Sequence, residues 1–361
     1  MSLEDSAGFR TALTDEQINA LSIVYVSSLS LSLIGSFSMA VVSVIKRRYL
    51  NEQAWPLLQL ALADFLASAV LLGTSAMNFV PYSLLPKKIS ICERGLPLSL
   101  TFYCVSFLLI MVYAYESKRA VQGWRERSED EGDGQSQSGT RGGFFPGYAV
   151  VWFVPMVVYF LYIFTEGLTE GSIWTNSGEP ASTTVINNDY ATFCTSCILL
   201  LHIRNDTCPH VDKGHDLFVK CFVFISVLSG LTCCTVVYYK VGSWYRRYKE
   251  GSMYLVEGDG FGRRHLKGLY STARSMVLVL IICWTPGLIL VSLSFVEGIS
   301  QEKLFPLYIV QALTLSLQGF LDSIAYGWLR RNFREAALGE RMPLLATPPK
   351  AFYDESLTVT R

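Results

Sequence analysis

Charged residues are scarce in this chain of 361 residues: 17% are charged, whereas 51% are hydrophobic. The hydrophobic residues form long runs separated by polar stretches, and a soluble domain would interleave the two kinds instead. This excludes an ordinary soluble domain and indicates a chain that lies in a lipid bilayer. Lys plus Arg equals Asp plus Glu at 30 each, so net charge neither favours nor opposes a nucleic-acid partner, and we expect none.

Histidine is nearly absent, with four residues that all lie outside the hydrophobic runs. Seven-helix metal hydrolases need histidine and carboxylate ligands inside the bundle. We therefore expect that the chain is not an enzyme and that it holds neither a metal nor a cofactor. His202, His210 and His215 with Cys208 form a candidate zinc set, but their spacing matches no familiar site and a solvated loop is the alternative. The run 305–328 has no lysine, which argues against a retinal Schiff base.

A cleavable signal peptide is also missing. Residues 1–19 carry four acidic residues and one arginine, and they lack the basic start and short apolar core of such a peptide. We therefore expect the first hydrophobic run to act as its own insertion signal.

Seven hydrophobic runs are long enough to cross about 30 Å of hydrocarbon, which takes about 20 helical residues. No run repeats another, and an odd number does not divide into the halves of an inverted-repeat transporter. We predict an all-α membrane protein with a bundle of seven transmembrane helices over residues 20–328. The predicted spans are 20–45, 57–80, 95–115, 146–165, 216–239, 275–296 and 305–328.

Most Lys and Arg residues fall in the loops and tail on one side of these spans. Since basic residues stay on the cytosolic side, we predict that residues 1–19 are extracellular and that residues 329–361 form a cytoplasmic tail. Residues 128–143 are acidic and then rich in Gly, Ser and Gln, which indicates a flexible cytosolic insert. The longest external loop covers residues 166–215.

That external loop contains Asn205-Asp206-Thr207, an acceptor for N-glycosylation. Four cysteines lie in polar connections that face an oxidising compartment, so we expect a disulfide from the loop to the third span. Four cysteines allow three pairings, and the sequence does not choose among them; our expectation is Cys92 with Cys197. The four are Cys92, Cys194, Cys197 and Cys208.

Two acidic residues, Asp64 and Asp322, lie inside hydrophobic runs. A charge at mid-bilayer costs about 2.5 to 3.5 kcal/mol on insertion scales, so something must offset it. The pair is either a sodium- or water-filled switch pocket or an interhelical hydrogen-bonded pair. Pro286 lies inside the sixth run, where it frees a backbone carbonyl and creates a kink that is able to swing.

The order of these landmarks resembles the G-protein-coupled receptors over nearly the whole chain. Asp64 matches the second-helix signature, Cys92 the outer cysteine of the third helix and Trp152 the tryptophan of the fourth. Residues 283–286, Cys-Trp-Thr-Pro, match the sixth-helix toggle motif. Residues 322–326 resemble the seventh-helix motif with Ser in place of Pro, and residues 328–338 are placed as a short amphipathic eighth helix.

Two further resemblances are narrower. Residues 31–36 and 318–320 are similar to cAMP-receptor-like families. The second resemblance is to an orphan membrane protein, and it supplies no ligand. It rests on residues 307–308, 311–314, 318–319 and 326–328, together with 197–199 and His202.

The receptor resemblance implies a function: an unknown external ligand favours an outward swing of the sixth helix around Pro286. It implies a ligand pocket and a switch, although each of these residues has ordinary helix packing as its alternative. The pocket residues are Ser99, Tyr103, Trp284, Tyr308 and Ser316. The switch residues are Asp64, Glu116, Trp284, Pro286, Asp322 and Tyr326.

The chain departs from the receptor pattern at the cytosolic end of the third span. The acidic-arginine-tyrosine triplet falls on Glu116-Ser117-Lys118, so its arginine is missing. Lys118 or Arg119 is the candidate substitute for contact with a heterotrimeric G protein, although lysine lacks the flat fork of arginine. Arg246 and Arg247 either contact the G protein or anchor at anionic headgroups.

The missing arginine and the insert 128–143 suggest an alternative, a non-signalling membrane scaffold or trafficking protein. Glu340, Leu344 and Leu345 have the acidic-dileucine form of endosomal sorting signals. We therefore expect the plasma membrane as the location, with the endosomal membrane as the alternative.

Overall fold

The structure, a computed structural model, consists of helices and connecting segments in the part of the chain that it describes. It describes residues 13–45, 54–80, 88–129, 145–173, 196–201, 213–251, 260–296, 301–328 and 333. Eight α-helices follow in chain order: α1 Asp15–Ile45, α2 Ala54–Ala76, α3 Lys88–Glu129, α4 Phe145–Ile173, α5 Lys213–Gly251, α6 Gly260–Ser294, α7 Gln301–Ser316 and α8 Gln318–Asp322. A 3₁₀ turn, Met77–Phe79, extends α2, and a π-helical turn, Ser323–Trp328, extends α8.

Six of these helices are individually long and apolar enough to cross a membrane. The segments Gln301–Ser316 and Gln318–Ala325 pass the same test together, with a 45° bend between them, and make a seventh span if they count as one. The prediction of an all-helical multi-pass membrane protein is confirmed. Seven spans result when the bent pair is one crossing.

Helix α1 begins five residues before the predicted span because its first turn is capped. The Thr14 hydroxyl accepts a hydrogen bond from the Gln17 N–H (3.3 Å), and the Gln17 side chain accepts one from the Thr14 N–H (3.0 Å). This reciprocal arrangement is a capping box, and Asp15 and Glu16 add negative charge at the positive end of the helix. The helix therefore starts in the polar region outside the hydrophobic run.

The bend in the seventh span falls at Leu317, where the sequence has no proline. Leu317 N–H donates to Leu313 O (3.0 Å) and Leu321 N–H donates to Leu317 O (2.9 Å), so the hydrogen-bond ladder continues past the bend. Gly319 and the π-helical turn lie directly beyond it, and both are recognised sites of helix kinks. The bend turns Gln318 into the bundle, where it is fully buried.

Helix α1 approaches the seventh span closely because two glycines lie at the contact. A Cβ atom at Gly35 would lie 2.8 Å from Ser323 Oγ, and one at Gly319 would lie 2.6 Å from Ser32 Oγ and 3.2 Å from Asp64 Cβ. Small residues of this kind let transmembrane helices pack backbone against backbone.

Gly319→Ala is therefore expected to lower the free energy of unfolding by about 1–3 kcal/mol, because the added methyl overpacks the contact. Unfolding of the purified protein in detergent would measure the loss. Gly73→Ala is the matched control, since a Cβ at Gly73 would meet no atom of the described residues within 4 Å. A loss in Gly319→Ala no larger than in Gly73→Ala would contradict the close packing.

Candidate functional site

The two acidic residues of the hydrophobic runs meet in the middle of the bundle. Asp64 on α2 and Asp322 on α8 are each only 2% exposed, and their carboxyl groups lie close enough to interact. Two ionised carboxylates would repel strongly in a buried site. We therefore expect the pair to carry at most one negative charge.

A chain of side-chain hydrogen bonds connects this pair to the tryptophan of the sixth helix. Trp284 Nε1–H donates to Gln318 Oε1 (2.7 Å), Gln318 Nε2 donates to Ser106 Oγ (3.4 Å), and Ser106 Oγ donates to Asp64 Oδ1 (2.9 Å). We call Trp284, Gln318, Ser106, Asp64 and Asp322 the polar chain. It joins α6, α8, α3 and α2 through fully buried groups.

Aromatic rings surround Trp284 in the bundle. Tyr103 and Phe107 both approach it edge-on, with ring centroids at 5.4 Å and 4.9 Å, the geometry that aromatic quadrupoles favour. Trp284 itself is 2% exposed. Its position is therefore fixed by two rings and by one hydrogen bond to Gln318.

Pro286 lies inside α6, and the turn before it contacts a hydroxyl from α7. Pro286 has no N–H, so it cannot supply the hydrogen bond that the preceding turn normally receives. Thr314 Oγ1 donates to the Cys283 carbonyl (3.2 Å), and Thr285 Oγ1 donates to the Ile281 carbonyl (2.6 Å). Helix α7 thus contacts the main chain of α6 within one turn of Pro286.

All five predicted pocket residues are at most 2% exposed. A narrow crevice lies next to Trp284 between α5 and α6, and Trp284 alone among the five lines it. The remaining lining is apolar: Leu200, Val223, Phe224, Val227, Gly287, Leu288 and Val291. The crevice has no room for a water molecule, so any ligand there would require these side chains to move.

Residues 196–201, which we call the plug, lie between α4 and α5 in the chain and occupy one end of the bundle. Cys197 forms a disulfide with Cys92, with 5.4 Å between the Cα atoms; this is the pairing expected from the sequence. Cys197, Ile198 and Leu199 are nearly completely buried. The plug therefore lies within the helices and does not cover them from outside.

Several predicted site residues lie outside what the structure describes. The side chains of Glu116, Lys118, Arg119, Arg246, Arg247 and Tyr326 are not described, although their backbones are helical. Asn205, Glu340, Leu344 and Leu345 lie outside the described residues altogether.

Two members of the polar chain, Ser106 and Gln318, are not among the site residues that sequence reasoning proposed. Both are polar residues in hydrophobic runs, and that is the signal by which they could have been found. Trp152, assigned by resemblance to the fourth helix, donates from Nε1 to Gln59 Oε1 (2.8 Å), away from the polar chain.

The model of the family described as transmembrane protein 116 matches residues 19–343 of the chain. The match spans all eight helices apart from the first turn of α1. It confirms the narrower of the resemblances drawn from the sequence, the one to an orphan membrane protein.

Proposed function

We propose that this chain, which belongs to the transmembrane protein 116 family, is a receptor of the G-protein-coupled type. In this proposal an external ligand favours a swing of α6 around Pro286, and the extracellular N-terminus and cytoplasmic tail place the responding end of α6 in the cytosol. The observation that carries the proposal is the polar chain, because it connects α6, the helix that contains Pro286, to a pair of buried carboxyl groups and joins four helices.

The free energy needed to break the polar chain is of the size that a bound ligand can supply. If α6 rotates, the Trp284 indole N–H leaves Gln318 Oε1, and a buried polar group without a partner costs about 1–3 kcal/mol. A ligand can offset a difference of this size, since typical coupling energies between two sites are also about 1–3 kcal/mol. A movement of α6 would therefore be transmitted to Gln318 instead of being absorbed by soft packing.

The carboxyl pair is the inner end of the proposed switch. A shift of α8 would separate Asp322 from Asp64, and each carboxyl group would then need a new partner for its charge or its proton. Water or a sodium ion entering between the helices would supply one. The sodium- or water-filled pocket and the hydrogen-bonded pair are thus two states of the same residues in this proposal.

On the cytosolic side, Lys118, Arg119, Arg246 and Arg247 are the proposed contacts for a heterotrimeric G protein. They lie near the inner ends of α3 and α5, and basic residues there suit an acidic partner surface. A plasma-membrane location follows from this function, and the acidic-dileucine residues of the tail would serve its endosomal retrieval.

The test is a G-protein dissociation assay across all Gα classes in intact cells. Wild type is expected to give basal dissociation in at least one class, and a Lys118→Ala, Arg119→Ala variant is expected to lose it at matched surface expression. Lys303→Ala is the matched control, because it removes a basic residue at the opposite, external end of the bundle, where Lys303 is exposed.

Surface expression without a signal in any Gα class, with a broad ligand library added, would reject the receptor function. That result would favour the alternative, a seven-helix scaffold or trafficking protein that keeps the bundle and has lost coupling. The observation that favours this alternative is that the triplet Glu116-Ser117-Lys118 contains no arginine.

A further inference from the structure

The plug is held through its main chain by residues on two helical segments. Cys197 N–H donates to Asn78 Oδ1 (2.8 Å), and Asn78 Nδ2 donates to Cys197 O (3.5 Å) and to Ser22 Oγ (3.0 Å). The Asn78 amide thus pairs with both the N–H and the C=O of one residue, as a neighbouring strand would. Ser22 holds the amide in the orientation that this pairing needs.

A second main-chain contact lies two residues further along the plug. The Tyr25 hydroxyl lies 3.3 Å from Leu199 O and 3.1 Å from Gln311 Oε1, and it donates to this pair of acceptors. Tyr25 and Gln311 are fully buried. Because these contacts and those of Asn78 are to backbone atoms, the site recognises a peptide main chain.

The apolar end of the plug points at helix α6. Leu200 has a φ of 63°, in the left-handed region that costs a residue with a Cβ about 1–2 kcal/mol. It lines the crevice beside Trp284, and a Cβ at Gly287 would lie 3.1 Å from Leu200 Cδ1. A strained leucine packed against a glycine of the kinked helix indicates a built contact, since strain of this kind persists only where the surroundings enforce it.

The plug leaves one donor of the site unused. Gln311 Nε2 is buried and has no hydrogen-bond partner among the described residues, and a buried unsatisfied donor costs about 1–3 kcal/mol. A peptide that placed a carbonyl oxygen there would satisfy it. The plug therefore fits the site without exhausting its hydrogen bonds.

We propose that Tyr25, Asn78, Gln311 and Gly287 form a peptide-binding site whose internal ligand is the chain's own residues 197–200. Its exogenous ligand is a short apolar peptide that carries the same main-chain contacts and displaces the plug. The proposal concerns occupancy of the outer end of the bundle, so it stands or falls independently of G-protein coupling.

The first test measures binding of a peptide that copies the plug. The probe is acetyl-Ser-Ile-Leu-Leu-Leu-amide with a fluorescent label, which corresponds to residues 197–201 with serine for Cys197. The protein is the full chain in lipid nanodiscs, as a triple variant with Ile198→Gly, Leu199→Gly and Leu200→Gly in a Cys92→Ser, Cys197→Ser background, so that residue 197 can leave Asn78. Saturable binding is expected, and wild type should bind at least tenfold more weakly because its tethered segment competes at about millimolar effective concentration.

Two further substitutions identify the contacts. Adding Asn78→Ala or Tyr25→Phe to the plug variant is expected to weaken peptide binding by about threefold to tenfold, the loss for one or two hydrogen bonds. Ser27→Ala is the matched control, because Ser27 lies on the exposed face of α1, away from the plug, and its hydroxyl donates to the Val24 carbonyl. Equal binding by wild type and the plug variant, or indifference to both substitutions, would overturn the proposal.

A second measurement keeps the proposal testable if the triple variant does not fold. Hydrogen exchange in the wild-type chain should show protection of the Cys197 amide, and Asn78→Ala should accelerate its exchange at least tenfold. Saturating unlabelled peptide should have the same effect on the wild-type plug. Exchange of the plug at the rate of a free peptide in wild type, or no change with Asn78→Ala, would show that the site does not hold residues 197–200.

Discussion

Replacing Gln318 with leucine is expected to lower the free energy of unfolding by about 2–4 kcal/mol, because two buried groups lose a partner at once. The Trp284 indole N–H loses its acceptor at 2.7 Å, and Ser106 Oγ loses the Gln318 amide donor at 3.4 Å. Leucine has a similar size, so the loss measures the hydrogen bonds and not a cavity. Denaturation of the purified protein in mixed micelles would measure it.

The matched control for this prediction is Gln59→Leu. Gln59 also accepts a hydrogen bond from a tryptophan, Trp152 Nε1 at 2.8 Å, but both residues are only half-buried. A half-buried bond leaves neither partner fully enclosed when it is lost, so we expect a loss of about 1 kcal/mol. A Gln318→Leu loss no larger than that of Gln59→Leu would mean that the polar chain contributes no more than a surface hydrogen bond.

A double-mutant cycle separates the Trp284 contact from the rest of the chain. Trp284→Phe removes the indole N–H, so in the Gln318→Leu background it removes the orphaned donor as well. We expect a coupling energy of at least 1 kcal/mol between the two positions, as is usual for residues in one buried network. Additive losses, within about 0.5 kcal/mol, would contradict a direct bond between them.

The acidic members of this network could be predicted from the sequence, and the neutral ones could not. Asp64 and Asp322 stand out because a charge in a hydrophobic run demands a partner. Gln318 and Ser106 cost much less to insert, so they do not stand out, although they carry the hydrogen bonds that connect the carboxyl pair to Trp284. Neutral polar residues acquire their importance from where the helices meet, which hydropathy does not encode.

The start of α1 had a local signal in the sequence, whereas the bend in the seventh span had none. Hydropathy marks the part of a helix that lies in lipid, so it placed the start of the first span at residue 20, whereas α1 begins at Asp15. The Thr14 and Gln17 capping box was present in the sequence as a local signal. The bend at Leu317 had no such signal, since it arises where Gly319 packs against α1 and α2 rather than from a proline.

The position of the plug depends on tertiary contacts across the chain. The disulfide expected from the sequence brings Cys197 to the third helix, but Tyr25 and Asn78 decide that residues 197–199 enter the bundle. One signal was available: the run Cys-Ile-Leu-Leu-Leu at 197–201 is apolar within a polar loop. An apolar run of this length between helices indicates burial, but it does not say against which helices.

Removing the disulfide should have the second large effect. In the chain-entropy model, a bridge across about 100 residues contributes about 4.7 kcal/mol, and Cys92 and Cys197 are 105 residues apart. Helix α4 and most of α3 lie between them, however, and membrane insertion already restricts these helices before the bundle packs. We therefore expect Cys92→Ser with Cys197→Ser to lower the free energy of unfolding by about 2 kcal/mol, at the low end of measured disulfide losses.

The control for this change is Cys104→Ser with Cys221→Ser, which alters two free, half-buried cysteines. It should leave stability within about 0.5 kcal/mol of wild type, as surface substitutions do, and a reducing agent should bring wild type down to the level of the disulfide variant. If the disulfide variant and the control lose equal amounts, the bridge adds nothing. In that case Asn78 and Tyr25 alone would hold the plug, and the loop would be positioned by its main-chain hydrogen bonds and not by the covalent link.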